Sequence, residues 1–328
     1  MKIGIDNYSL YPLDLEPLEL LKWADDHGAE GVAFSGLELH HRQNCDRGYL
    51  EALAGFAADH DLYLEWGNGQ HIPRDLTTWD SKDIFENNRK AAEEAAILGT
   101  RIVRSCSGGL MRWKDDSPPT ETLLTEMAEA LTAQKQMLKD HNVILAIETH
   151  FEFTTFELLR VFEMCDADPG DWLGICLDTM NLLTMLEDPV MATRRILPWI
   201  VSTHVKDGGI LLDREGMVTF PIEIGKGAVA LREIMKILHT FNPAIHLSLE
   251  DHGGYFELPI FDRTFMAKFP DLETAELVKL MDHVVKTSEQ RAQEGIGIVD
   301  RERWPELCEE RVTGGLSALK QIAAEALH

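Results

Sequence analysis

Short apolar runs alternate with longer stretches of helical periodicity along almost the whole chain. Eight runs read as strands: Ile3–Asp6, Gly31–Phe34, Leu62–Trp66, Ile102–Ser105, Val143–Glu148, Gly174–Asp178, Val201–Lys206 and Ile245–Glu250. They are short and mostly rich in Val, Ile and Leu, as strands covered on both faces must be. Between them the spacing predicts helices, among them Pro17–His27, Glu51–His60, Ile84–Leu98, Glu121–His141 and Phe156–Cys165. Gly28 and Gly99 fit helix C-termini, and Pro189 fits a first helical turn. Eight strand–helix repeats without a Pro/Gly/Ser linker favour an α/β fold built as a single (β/α)₈ TIM barrel over a doubly wound open sheet. From Leu272 onward the pattern is a last helix and a helical tail. The expected division is a catalytic barrel over residues 1–294 and a C-terminal helical extension over 295–328, packed on the barrel or on a neighbouring subunit.

Composition narrows the function without naming it. The 328 residues are 45% hydrophobic and 27% charged, ordinary for a globular protein. No apolar run approaches membrane-span length, and MKIGIDNYSLYP reads as a first strand rather than a signal peptide. Five cysteines (45, 106, 165, 176 and 308), scattered and without a CxxC pair, suggest reduced thiols and a cytoplasmic location. A formal net charge of −25 with no basic stripe argues against nucleic acid. There is no Ser/His/Asp elbow and no phosphate-cradling P-loop.

Barrel enzymes carry their chemistry at the C-terminal ends of the strands. Ionisable residues at those ends stand out in AIETH, CLDTMN, STHVKD and LSLEDH: Glu148, Asp178, His204 and Glu250. Residues two apart in a strand share a face. Ala146, Glu148 and His150 therefore face together, as do Ser202, His204 and Lys206, and Ser248 and Glu250. A lone strand-end carboxylate can simply cap the next helix or pair with a loop lysine. Three carboxylates gathered at one mouth without a cation would be very unfavourable. A divalent ion resolves this, and three carboxylates with one imidazole suit Mn²⁺, Mg²⁺, Co²⁺ or Zn²⁺.

IETH, LDTMN, THVKD and SLED, in this order on strands five to eight, resemble the xylose isomerase-like barrel superfamily of sugar phosphate isomerases and epimerases. The likeness spans roughly Lys2 to Asp282, and IGKGAV (Ile224–Val229) is similar to the family's glycine-containing turn. The resemblance implies one divalent ion, with Mn²⁺ the first expectation, held by Glu148, Asp178, His204 and Glu250. It also implies that Glu148 and Glu250 act as acid and base on opposite sides of a small carbohydrate. Relatives carry a histidine where this chain has Asn181, which with the acidic charge speaks against endonuclease-type DNA repair. The expected reaction is isomerisation or epimerisation of a sugar or keto-sugar through an enediolate. The alternative is a lyase or decarboxylase acting on a 3-oxo sugar acid, of which LAIETHFEFTTFELLRVFE is reminiscent; a non-catalytic sugar-binding barrel is a third reading. Second-tier substrate contacts are His150, Asn181, Lys206, Arg104, Glu65, His71 and Trp113, with an Arg104–Glu65 ion pair as the competing role for those two. His246 reads as an interior histidine of strand eight, and Trp66 as core or pocket wall. Homodimer or homotetramer assembly stays open.

Overall fold

The computed structural model describes residues 1–327, of Leu327 only the backbone; His328, the last residue of the expected extension, lies outside them. Eight parallel strands close into a barrel: β1 (Ile3–Asp6), β2 (Gly31–Phe34), β3 (Tyr63–Gly69), β4 (Ile102–Ser105), β5 (Ile144–Glu148), β6 (Leu173–Asp178), β7 (Ile200–Val205) and, after an excursion, β10 (Leu247–Leu249). The ring runs β1-β10-β7-β6-β5-β4-β3-β2. Helices cover its outside, and nearly all strand residues are buried, as the unbroken apolar runs require. The expected helix Glu121–His141 is two, Thr120–Thr132 and Lys135–Asp140, interrupted at the buried Gln134. Gln134 accepts from Asn88 at 2.6 Å, tying the break to a neighbouring helix.

An antiparallel sheet of order β11-β9-β8 interrupts the alternation: β8 (Asp207–Leu212), β9 (Met217–Ile222) and β11 (Phe256–Leu258). In its turn, Asp213 Oδ1 accepts from Glu215 N and Gly216 N, both at 2.9 Å. The hairpin begins immediately after β7, so the chain leaves the barrel next to His204. Asp207 fixes that departure. Its buried carboxylate accepts from the backbone N–H groups of Gly208 and Gly225 (2.9 Å each), Gly227 (3.0 Å) and Val229 (3.2 Å). A Cβ on Gly227 would lie 2.0 Å from Asp207 Oδ1, so only glycine permits this approach. The Asp207→Asn protein should unfold roughly 2–6 kcal/mol more easily, because an amide group would face the donors of Gly225 and Gly227. Urea midpoints at constant m-value read this loss; an unchanged midpoint would show that the loop is held some other way.

The C-terminal extension packs on the barrel. Its helix, Trp304–Leu327, lies against β1 and β10 and beside the helix Leu231–Phe241, the place of an eighth barrel helix. Trp304 is fully buried and donates from Nε1 to Ser9 O at 3.1 Å. Arg311 grips Asp251, the residue after Glu250, through Nε (2.9 Å) and Nη2 (2.7 Å). The preceding helix, Thr274–Glu294, covers the hairpin sheet instead. No helix among the described residues is long and apolar enough to cross a membrane.

Candidate functional site

Strand register brings the four strand-end residues together. Glu148 pairs with Cys176 and Asp178 with His204; His204 pairs with Ser248, two residues before Glu250. The threonines of ETH and DTM lock these ends. Thr149 Oγ1 accepts from Asp178 N (2.8 Å) and donates to Asp178 O (3.1 Å), while Thr179 Oγ1 does the same at Lys206 (2.9 and 2.6 Å). Ligand-type atoms of Glu148, Asp178, His204 and Glu250 all lie within 4.8 Å of one another, and all four residues are buried. Asp178 Oδ1 is taken by Met180 N (2.9 Å) and Asn181 N (2.8 Å), which leaves Oδ2 for the cluster. His204 Nδ1 stands 2.8 Å from Glu250 Oε2 and 3.4 Å from Glu148 Oε1.

The residues present fit a divalent cation on two grounds. Asp178 Oδ2, His204 Nδ1 and Glu250 Oε2 are buried and converge with no well-aligned hydrogen bond, meeting ionic approaches of 2.8 to 2.9 Å from one another and from Lys206. They are three donors of the types such ions take. Charge is the second ground. Four buried carboxylates, those of Asp6, Glu148, Asp178 and Glu250, face two fixed cations. Arg104 pairs with Glu148, and Lys206 bridges Asp178 Oδ2 (2.9 Å) and Glu250 Oε1 (3.0 Å). Two negative charges remain, which one divalent ion beside a neutral His204 would neutralise.

The surrounding charges set the protonation states. Burial alone would raise the Glu148 carboxyl, but Arg104 and His204 hold it down at about 2. Burial likewise opposes ionisation of Glu250, and Lys206 and His204 outweigh it and keep it well below the usual range. Burial would lower the His204 pKa, yet the acidic groups around it, the Cys176 thiol and the carboxyls of Asp6, Glu148 and Glu250, raise it well above that of a free imidazole.

Asp6 is a site residue that the strand-end screen missed, although it ends the first strand. Its Oδ2 lies 3.4 Å from His204 Nε2 and accepts from Ser35 Oγ, which is itself 3.3 Å from that nitrogen. Burial pushes its carboxyl up to about 6. A carboxylate behind the second nitrogen fixes the imidazole so that Nδ1 points at Glu148 and Glu250. His252 was also passed over; Nε2 meets Lys206 Nζ at 3.2 Å and Nδ1 meets Gly253 O at 2.9 Å. Burial, with Lys206 close by, lowers its pKa to about 3, so it stays neutral.

A cavity of about 400 Å³ opens over the cluster. Arg104, Lys206 and His150 line it, together with Glu148 and Glu250. His150 Nδ1 is 3.0 Å from buried Glu152, which also accepts from Ser107 Oγ (2.7 Å) and Gly109 N (3.1 Å). Asn181 lies beside Asp178, buried, with its Nδ2 unpartnered, but it is not on the cavity wall. Three expected contacts are corrected. Glu65 pairs with His246 Nδ1 (3.1 Å) and lines a separate cavity at the other end of the barrel, with Thr100 and Asn242. Its expected partner Arg104 turns to Glu148, because Arg104 sits opposite Ala146 on β5, near the mouth. His71 is buried against Ser105 Oγ (2.9 Å) and the edge of Phe153, and burial lowers its pKa to about 4. Trp113 donates to Glu257 O (2.7 Å) and packs on Phe256 and Phe265, away from the cavity. His246 precedes β10, is partly exposed and stacks on Tyr63 at 3.9 Å, so it is not an interior strand residue. Trp66 is core, fully buried, donating to Glu94 at 2.9 Å.

A family model described as xylose isomerase-like TIM barrel matches residues 21–276. No match is found among curated protein sequences. Among solved structures, a D-psicose 3-epimerase crystallised in the presence of D-fructose is 15% identical, with a TM-score of 0.58 over 90% of this chain and 100% of that one. A probable 3-DHS dehydratase from Bacillus anthracis is 17% identical, with a TM-score of 0.60 over 87% and 98%. The IolI protein with a bound zinc atom is also 17% identical, with a TM-score of 0.60 over 88% and 99%.

Proposed function

The chain belongs to the xylose isomerase-like TIM barrel family, and we propose that it is a divalent-metal-dependent isomerase or epimerase of a small sugar or keto-sugar. One observation carries this reading: Glu148 and Glu250 stand at the two ends of the arc β5-β6-β7-β10, with Asp178 and His204 between them. A substrate lying over the middle of that arc has a carboxylate at either side. Glu148, Asp178, His204 and Glu250 would hold a divalent ion, which would supply Lewis acidity toward a substrate carbonyl and its developing negative charge.

Both glutamates are ionised at neutral pH and begin as bases. One takes the proton from the carbon beside the carbonyl and becomes a neutral acid, which completes isomerisation by returning its proton to the neighbouring carbon. For epimerisation the opposite glutamate first takes a proton from solvent and delivers it to the other face, while the first releases its own to solvent. Lys206, 3.0 Å from Glu250, is placed to donate to a substrate oxygen. In the epimerase neighbour the crystallised sugar is a ketose, which supports a carbohydrate of this size.

The test is turnover of a ketose panel in D₂O by Mn²⁺-loaded enzyme. Deuterium should appear at the carbon beside the carbonyl. An accepted substrate that never acquires it would overturn the proton-transfer reading. A second reading, loss of CO₂ from a 3-oxo sugar acid, is favoured by the cations on the cavity wall, Arg104, Lys206 and Arg301. It also leaves an enediolate and needs one protonation, so CO₂ release from 3-oxo acids separates the two.

A further inference from the structure

Three side chains with fixed positive charge line the cavity above the cluster, and two are already committed: Arg104 to Glu148, Lys206 to Asp178 and Glu250. The third, Arg301, has no carboxylate within ion-pair distance among the described residues. It lies beyond the span that the family model matches, in the turn that leads into the C-terminal helix. Its position is built. After Glu250 the chain makes a long excursion and returns to the mouth, where Gly254 N donates to Val299 O at 2.8 Å. Gly254 has φ +113°, and a Cβ there would lie 2.7 Å from Arg301 Nε; a Cβ on Gly253 would meet Val299 O at 3.0 Å. Gly254 thus makes room for the arginine side chain and Gly253 for the backbone that carries it. Tyr11 and His252 line the same cavity. Trp304 and Arg311, anchored on Ser9 and Asp251, hold the helix that follows.

Arg301 is exposed at the rim of the cavity, and its guanidinium, with no carboxylate partner among the described residues, offers an anionic ligand a docking point there. Its planar fork matches a carboxylate bidentately. A phosphate dianion is usually cradled by several backbone N–H groups at a glycine-rich helix start, whereas Arg301 offers a single planar fork. We infer that Arg301 is the carboxylate-binding residue of the cavity, so that the substrate is a sugar acid whose carboxylate lies at the end remote from the carbons that react. This rests on the proposed function above, because it takes the four-residue cluster as the reacting end.

Three ligands that differ only at C6 test it: D-fructose, D-fructuronate and D-fructose 6-phosphate, titrated calorimetrically into Mn²⁺-loaded full-length protein. The wild type should bind the carboxylate at least about tenfold more tightly than the neutral ketose, the scale of one charge-assisted contact. Arg301→Gln should remove that advantage and leave D-fructose affinity within about twofold, and Arg301→Lys should restore part of it. Equal weakening of acid and neutral ligand by R301Q, an acid affinity indifferent to R301Q, or tightest binding of the phosphate overturns the assignment while metal-dependent D-fructose binding stands. If none of the three binds the metal-loaded wild type, the assignment and the proposed function fall together.

Discussion

The Glu250→Gln enzyme should retain close to one Mn²⁺ per chain yet turn over about 10²–10⁴-fold more slowly, the range that a positioned acid or base contributes. A glutamine oxygen still offers a ligand atom where Glu250 Oε2 stands 2.8 Å from His204 Nδ1, but an amide cannot take a proton from carbon. Asp178→Asn is the contrasting variant. Its Oδ1 is occupied by two backbone N–H groups, so only Oδ2 serves the cluster, and the change should weaken metal retention and turnover together. Glu148→Gln should match the kinetic loss at Glu250 and add a cost of about 2–4 kcal/mol in folding stability, because half-buried Arg104 loses its counter-charge. Metal content by elemental analysis, kcat and denaturant midpoints separate these outcomes. If Glu250→Gln loses metal in proportion to activity, Glu250 is a ligand alone.

The barrel was legible because strands buried on both faces leave unbroken apolar runs, and four chemically distinctive residues closed four such runs in succession. What sequence reasoning lost depended on depth along the barrel axis and on distant returns of the chain. Glu65 and Arg104 sit on neighbouring strands, and nothing local sets their relative height. In the structure Trp66 pairs with Val103 and Gly69 with Ser105, so Arg104 stands level with the stretch after Trp66, nearer the mouth than Glu65. The same longer β3 carries His71 into a packed position against Phe153. The hairpin has a sequence signal, two apolar stretches around DREG in ILLDREGMVTFPI, but it falls outside the repeating strand–helix pattern. Asp6 satisfied the strand-end rule as fully as the chosen four, yet carries no flanking motif like ETH or DTM. Arg301 had no signal at all, since its place at the mouth depends on contacts with Gly253 and Gly254 that the chain reaches only after a long detour.

Removing the metal should lower the midpoint of thermal unfolding by about 6 °C without unfolding the protein. An ion that binds only the folded chain, present at a thousandfold its Kd, stabilises it by about 4 kcal/mol. At about 2 cal/mol/K of unfolding entropy per residue, a chain of 328 residues loses roughly 1.5 °C per kcal/mol. The fold survives because the cluster keeps its own counter-charges. Lys206 still bridges Asp178 and Glu250, Arg104 still holds Glu148, and the carboxylates around His204 favour its protonated form. The ion therefore replaces a proton and removes the residual negative charge rather than creating the site. Asp178→Asn supplies the control, since a chelator should leave its midpoint nearly unchanged. Calorimetric scans of metal-loaded, EDTA-treated and Mn²⁺-restored protein read the shift directly. A wild-type midpoint indifferent to both EDTA and Mn²⁺ would mean that the four residues form a self-sufficient ion-pair network. The enediolate chemistry proposed for them would then lose its electrophile.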